Sequence, residues 1–270
     1  MTLAGSPLPW RQALQREAAQ PPRRPRVPLW SGTTAIGSVE DDFPEQLGPA
    51  VVAAQGGVLR RAVQHGNPGW EVTGDLTASL AVIAGAMRDS GLGGAWRDEQ
   101  LAVTTAQGER LGTVERAAVR PLGIATFAVH LLGLTPDDRH WVQRRSLDKP
   151  TDPGLWDTLV GGMVPAADSF EQALARETWE EAGLRLSQLQ ALSYGGRVDT
   201  RRPGRDGRGS GYVVERIDWY RCVLPVGVAP SNQDGEVCEF ALLTGEELVL
   251  RLERGNFTHE AALVLCAGTA

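Results

Sequence analysis

The sequence predicts an α/β protein whose mixed sheet follows a small α+β region, and three observations predict it. A glycine turn, a helix start and a cluster of carboxylates are compressed into one run, GGMVPAADSFEQALARETWEEAGL, from Gly161 to Leu184. Strand-like segments bracket that run: IATFAVHLLGL and HWVQRRSL before it, residues 189–198 and 212–224 after it. Before about residue 120 the rhythm differs, with one strong helix and one hairpin pattern. The chain therefore divides into an N-terminal helix and Pro/Arg-rich strap (1–28), a small α+β domain (29–120) and an α/β domain (121–270).

Taken in order, residues 8–20, LPWRQALQREAAQ, have the spacing of a short amphipathic helix. PPRRPRVP after them must be extended, because each proline restricts itself and its predecessor, and reads as a solvated strap. Residues 29–39 turn strand-like, and 41–47 read as a turn or short helix. Asp75 caps a helix in which Leu76, Leu80, Ile83, Ala84 and Met87 recur at helical spacing, and Gly91 stops it. Residues 100–105 and 111–116 look like two strands joined through Gln107-Gly108. From Ile124 the strands 124–134, 140–147 and 156–164 follow, the third delivering the chain into Gly161-Gly162. A last strand at 237–242 and helices near 244–253 and 259–266 complete the pattern.

Asp168 or Ser169 caps the central helix, which begins near Phe170 and ends at Gly183. At ~100° per residue, Phe170, Ala173 and Leu174 form an apolar stripe. Glu177 and Glu181 continue that stripe, with Glu180 at its edge, while Glu171, Ala175 and Trp179 lie opposite. Carboxylates on the inward side of a helix need counter-charge, since burying them unpaired costs several kcal/mol each. Hard oxygen donors of this kind suit Mg²⁺, with Mn²⁺ as the alternative.

The segment resembles the Nudix box, G-x5-E-x7-R-E-U-x-E-E-x-G-U with U aliphatic, across residues 162–184. Gly162, Arg176, Glu177, Glu180, Glu181, Gly183 and Leu184 match; Asp168 replaces the first Glu and Thr178 an aliphatic residue. The resemblance implies an α/β/α Nudix sandwich and a pyrophosphohydrolase. It implies Glu177, Glu180 and Glu181 as metal ligands, and Arg176 as a group that orients carboxylates. By the same resemblance Glu236, in NQDGEV at the mouth of the last strand, is the candidate base. Gly161 and Gly162 would let backbone approach metal or substrate closely. Flanking segments, among them WRDEQLAV, VERAAVRPLGIATFAVHLLG and PSNQDGEVCEF, are similar to two-domain Nudix proteins whose N-terminal region also occurs beside thiamine pyrophosphokinase. That likeness implies hydrolysis of thiamine diphosphate, with its damaged oxo and oxy forms favoured, to monophosphate and phosphate. The alternatives are a nucleoside diphosphate derivative such as ADP-ribose, or a module that senses a diphosphate without cleaving it. The N-terminal domain would shape the ring end of the pocket, and a homodimer is a family expectation.

Further candidates surround the box. Of the adjacent Arg144 and Arg145, one must point inward if QRRS is a strand, and Arg144 is preferred. Residues 195–211, GGRVDTRRPGRDGRGSG, carry five arginines including Arg201 and Arg202, and form either a basic lid over phosphates or a flexible hairpin connection. Trp96, Trp141, Trp156 and Trp219 offer either a stacking wall or core packing. The four histidines show no metal spacing, and three cysteines without a CxxC fit neither structural zinc nor a disulfide framework. A net charge of −6 argues against a general nucleic-acid binder. No apolar stretch is long enough for a bilayer span and no signal-peptide core is present, so no membrane partner and a cytoplasmic location are expected.

Overall fold

The computed structural model describes residues 9–49, 51–52, 57–204 and 211–269. Its N-terminal part is a four-stranded sheet of β1 (Arg26–Ser31), β2 (Thr34–Glu40), β3 (Leu59–Gln64) and β4 (Asn67–Val72), in the order β2-β1-β4-β3. The α1 helix (Pro9–Glu17) precedes it, and the short α2 helix (Phe43–Gln46) follows β2. The hairpin β3–β4 was not anticipated. Its strand LRRAVQ lies largely exposed and charged, and its turn uses His65 and Gly66, both at positive φ (51° and 78°). The α3 helix (Leu76–Ser90) starts on Asp75, whose side chain accepts from Ala78 N, and ends on left-handed Gly91. Its stripe of Leu80, Ile83 and Met87 joins Leu29, Phe43 and Trp70 in one core, together with residues from the hairpin of β5 (Gln100–Thr104) and β6 (Arg110–Glu115). That core also takes in Leu122 and Ile124, so the N-terminal part and the start of the following strand share packed side chains.

The second part is a seven-stranded mixed sheet with helices on both faces, an α/β/α sandwich. Its strands are β7 (Thr126–Leu134), β8 (His140–Arg145), β9 (Trp156–Asp157), β10 (Val160–Met163), β11 (Gln190–Pro203), β12 (Tyr212–Val223) and β13 (Val237–Leu243). The order is β11-β12-β7-β8-β13, with β12 parallel to β7. The α4 helix (Phe170–Ala182) covers one face through Ala173, Leu174 and Ala182 against Val129, Leu131 and Val160. On the other face α5 (Gly245–Glu253) and α6 (His259–Gly268) pack on Ala128, Leu132 and Ile217.

Residues 156–164 are not one strand, as expected, but two short ones. β7 and β8 pair only at Gly133–Trp141 and Leu134–His140 and then diverge. The segment fills the fork, β9 pairing with β8 and β10 with β7. The stretch 199–203, read as loop, continues β11, and Arg201, Arg202 and Pro203 all pair with β12. Its tip, 205–210, lies outside the described residues. The strap is not solvated throughout: its last residues, 26–28, enter β1, and Arg26 Nη2 donates to Pro121 O (2.6 Å), while just ahead of the strap Arg201 N donates to Ala18 O (2.7 Å) and Tyr212 Oη to Gln20 O (2.9 Å). Among the described residues no helix is long and apolar enough to cross a membrane.

The two parts are joined beside the α4 helix. Ala166 N donates to Gln100 O (2.7 Å), Arg110 Nη1 donates to Ala166 O (2.8 Å), and Met163 packs against the N-terminal core. A cleft opens where the hairpin, the fork and α4 meet.

Candidate active site

The α4 helix starts on Ser169, the second of the two expected caps, in a reciprocal capping box with Gln172, and stops on left-handed Gly183. That frame fixes the rotation of the helix, so Glu177 and Glu181 face the cleft while Trp179 lies outside, 47% exposed. Glu181 is fully enclosed and held by two donors on one oxygen, Gln143 Nε2 (2.8 Å) and Gly161 N (2.9 Å). Burial first, and the neighbouring Glu177 second, push its carboxyl up to about 8. Burial likewise raises Glu177 above the ordinary carboxylate range, although Arg176 opposes it.

Arg176 gathers three acids. Its Nε donates to Asp168 (3.0 Å), and its Nη1 donates to Glu177 (3.0 Å) and to Glu180 (2.8 Å). The shorter Asp168 therefore still reaches the arginine. Glu180 is drawn to Arg176, 40% exposed, and lies outside the cleft lining. Among the described residues no three His, Cys, Asp or Glu side chains converge on one point. Of the expected ligand triad, Glu177 and Glu181 share the cleft and Glu180 does not. That pair fits a hard divalent cation: two adjacent acids, one driven towards protonation by burial, gain from a positive charge between them.

Gly161 and Gly162 lie on β10 along the floor. A Cβ at Gly162 would overlap the Glu177 carboxylate, coming 2.6 Å from Oε2 and nearer still to Cδ and Oε1. At Gly161 it would stand 2.8 Å from His130 Cε1. The glycines thus let a carboxylate and an imidazole lie against the backbone.

The basic wall differs from the expected one. Arg144 turns away, donating from Nε to Gly154 O (3.0 Å) and pairing with Glu239 (3.4 Å). Arg145 enters the cleft instead, only 15% exposed, 3.6 Å from Asp157 and donating to Thr151 O (3.0 Å). Neighbouring residues of a strand face opposite sides, so choosing one excluded the other. Arg201 is exposed, and Arg202 reaches the site only by pairing with Glu260 (2.6 Å). Glu236 does line the cleft, in an ion pair with Lys149. None of Trp96, Trp141, Trp156 and Trp219 lines it; Trp219 is core and Trp156 lies under Arg251.

Several lining residues were missed. Asp157, 4% exposed, accepts from Thr158 N (2.8 Å) and Thr258 Oγ1 (3.3 Å) and lies 3.6 Å from His130 Nδ1. Burial holds the His130 pKa below its usual value, so the ring is neutral. Glu215 and Glu260 close the far end: burial raises the first, while Arg202 outweighs burial and holds the second at about 2. An acid inside an apolar strand, as in WDTLV or YVVERI, was the available signal. From the N-terminal domain come Arg97, Arg116 and Arg120.

The NUDIX domain family matches residues 125–264. The chain is similar to Nudix hydrolase 20, chloroplastic, of Arabidopsis thaliana: 32% identical over 156 residues, 54% of this chain and 38% of that one. It is also similar to an isopentenyl-diphosphate Delta-isomerase of Kocuria rhizophila, 30% identical over 163 residues, 59% of this chain and 85% of that one. The chain spans about half or less of the length of the first curated relatives it matches. In fold it is similar to DR0079 from Deinococcus radiodurans, at TM-score 0.50 and 22% identity, over 63% of this chain and 99% of that one. The chain belongs to the Nudix family.

Proposed function

We propose that the protein is a divalent-metal-dependent Nudix pyrophosphohydrolase that cleaves the diphosphate of a small molecule. The observation that carries the reading is the pairing of Glu177 and Glu181 over the Gly161-Gly162 floor, in a cleft also lined by four arginines and a lysine. Mg²⁺ held there by Glu177 and Glu181 would screen the phosphates from these acids and acidify a water. Arg176 fixes Glu177, and Gln143 with Gly161 N fixes Glu181, so the pair is oriented before substrate arrives. Arg145 and Lys149 face the anion. Glu236 takes the proton from the attacking water once Lys149, its ion-pair partner, turns to the phosphate.

Within this class the preferred substrate is a thiamine-diphosphate-like compound. The likeness of the flanking segments supports it. The alternative, a nucleoside diphosphate derivative such as ADP-ribose, uses the same phosphate chemistry. Phosphate release and product identity, measured across thiamine diphosphate, its oxo and oxy forms, ADP-ribose and nucleotides with Mg²⁺, separate the two. Binding without turnover by any of them would replace the hydrolase with a sensor.

A further inference from the structure

The acidic floor belongs to the Nudix domain, but three of the five cations lining the cleft, Arg97, Arg116 and Arg120, come from the N-terminal domain. Arg145 and Lys149 are committed to Asp157 and Glu236, and Arg116 pairs with Glu99 (2.6 Å). Arg97 has no ion pair among the described residues, and its side chain is exposed on the cleft wall.

The backbone beneath Arg97 is pinned. Arg97 N donates to Glu115 Oε1 (3.0 Å), a carboxylate only 2% exposed that also accepts from Ala117 N (3.3 Å). Trp96 beside it donates from Nε1 to Asp98 (2.6 Å) and lies under the Arg88 guanidinium, 4.7 Å away. Gly94 N donates to Ala117 O (2.8 Å), and Arg116 N donates to Glu99 O (2.9 Å). A guanidinium without a partner, carried on a segment fixed at both ends, loses little freedom when it grips an anion. Arg97 also lines a second chamber, which opens off the cleft between Ala95, Val119, Pro150 and Met163. It thus stands at the doorway between the acidic floor and a recess of mixed lining, in which Ala95, Val119, Pro150 and Met163 stand beside Arg116 and Arg120.

We infer that Arg97 is a substrate-binding residue: it grips the diphosphate from the N-terminal domain, opposite Glu177 and Glu181, so that the anion site spans both domains. The inference rests on the diphosphate reading of the cleft. A substrate held this way presents its phosphates to the floor and its organic group to the side chamber.

The test is isothermal titration of the full chain with imidodiphosphate, which is not turned over, in the presence of Mg²⁺. Wild type is compared with Arg97→Gln, Arg97→Lys and Arg60→Gln; Arg60 pairs with Glu71 on the remote sheet and removes the same charge. Arg97→Gln is expected to weaken binding about tenfold or more, Arg97→Lys to recover part of that, and Arg60→Gln to change nothing. Equal affinity in wild type and Arg97→Gln, an equal loss in Arg60→Gln, or no binding by wild type would each overturn the inference. If the titrations behave as expected while phosphate release from the substrate panel is nil, the hydrolase reading fails and the role of Arg97 stands.

Discussion

Replacing Gly162 by alanine tests the floor of the site without removing any functional group. The added methyl would lie 2.6 Å from Glu177 Oε2, and nearer to Cδ, where ordinary contact begins at 3.4 Å. The carboxylate must therefore retreat by about 0.8 Å or more, and Arg176 and the box helix resist, since Glu177 is bonded to Nη1. A displacement of about 1 Å in a catalytic group costs on the order of 100-fold in rate. Overpacking adds about 1–3 kcal/mol of destabilisation, which for a domain of this size lowers Tm by several degrees but leaves the fold intact. Steady-state phosphate release under Mg²⁺, with far-UV circular dichroism and a melt on the same sample, reads both effects. A folded Gly162→Ala protein with wild-type kcat would refute the placement of Glu177 against the backbone.

Other consequences are equally specific. Because the Glu181 carboxyl is raised from 4.5 to about 8 in the folded state, the fold binds the extra proton. Stability of the cation-free protein should fall as pH rises from about 4.5 through 8, and Glu181→Gln should flatten that slope; identical slopes in denaturant melts would contradict the burial argument. Arg145→Gln should lower kcat/KM at least about tenfold and Arg144→Gln less than about threefold, a contrast that reverses if Arg144 is the inward residue. Trp219→Ala, emptying a buried ring from the sheet core, should cost about 3–5 kcal/mol in urea unfolding; a loss below about 1 kcal/mol would mean the ring is not the keystone its burial suggests.

What the sequence made legible follows the range of the interactions. The α4 helix, its Gly183 stop and the inward turn of Glu177 and Glu181 depend on spacing within one run, where local geometry decides. Its Ser169 cap, the α3 helix and the β5–β6 hairpin are local in the same sense. The fork of β9 and β10 is not: whether 156–164 forms one strand or two depends on β7 and β8 parting, a long-range event with no trace in WDTLVGGMV. The choice between Arg144 and Arg145 hung on register, where a slip of one residue exchanges faces. The extension of β11 through Arg201 and Arg202 was hidden because glycines and charges read as loop, whereas pairing with β12 and a bond to Ala18 override composition.

The least legible group is the N-terminal arginines. Nothing in WRDEQ marks Arg97 as part of a site lined by Glu177, since the two meet only after the hairpin docks on the box loop at Ala166. The buried Glu115 has the same origin: its Oε2 has no hydrogen-bond partner among the described residues, a cost borne where a segment must be held in place. A carboxylate 2% exposed gains nothing from the core around it. What it holds is the backbone under Arg97, and on the proposed role of that arginine the anion site draws on the N-terminal part as well as on the box.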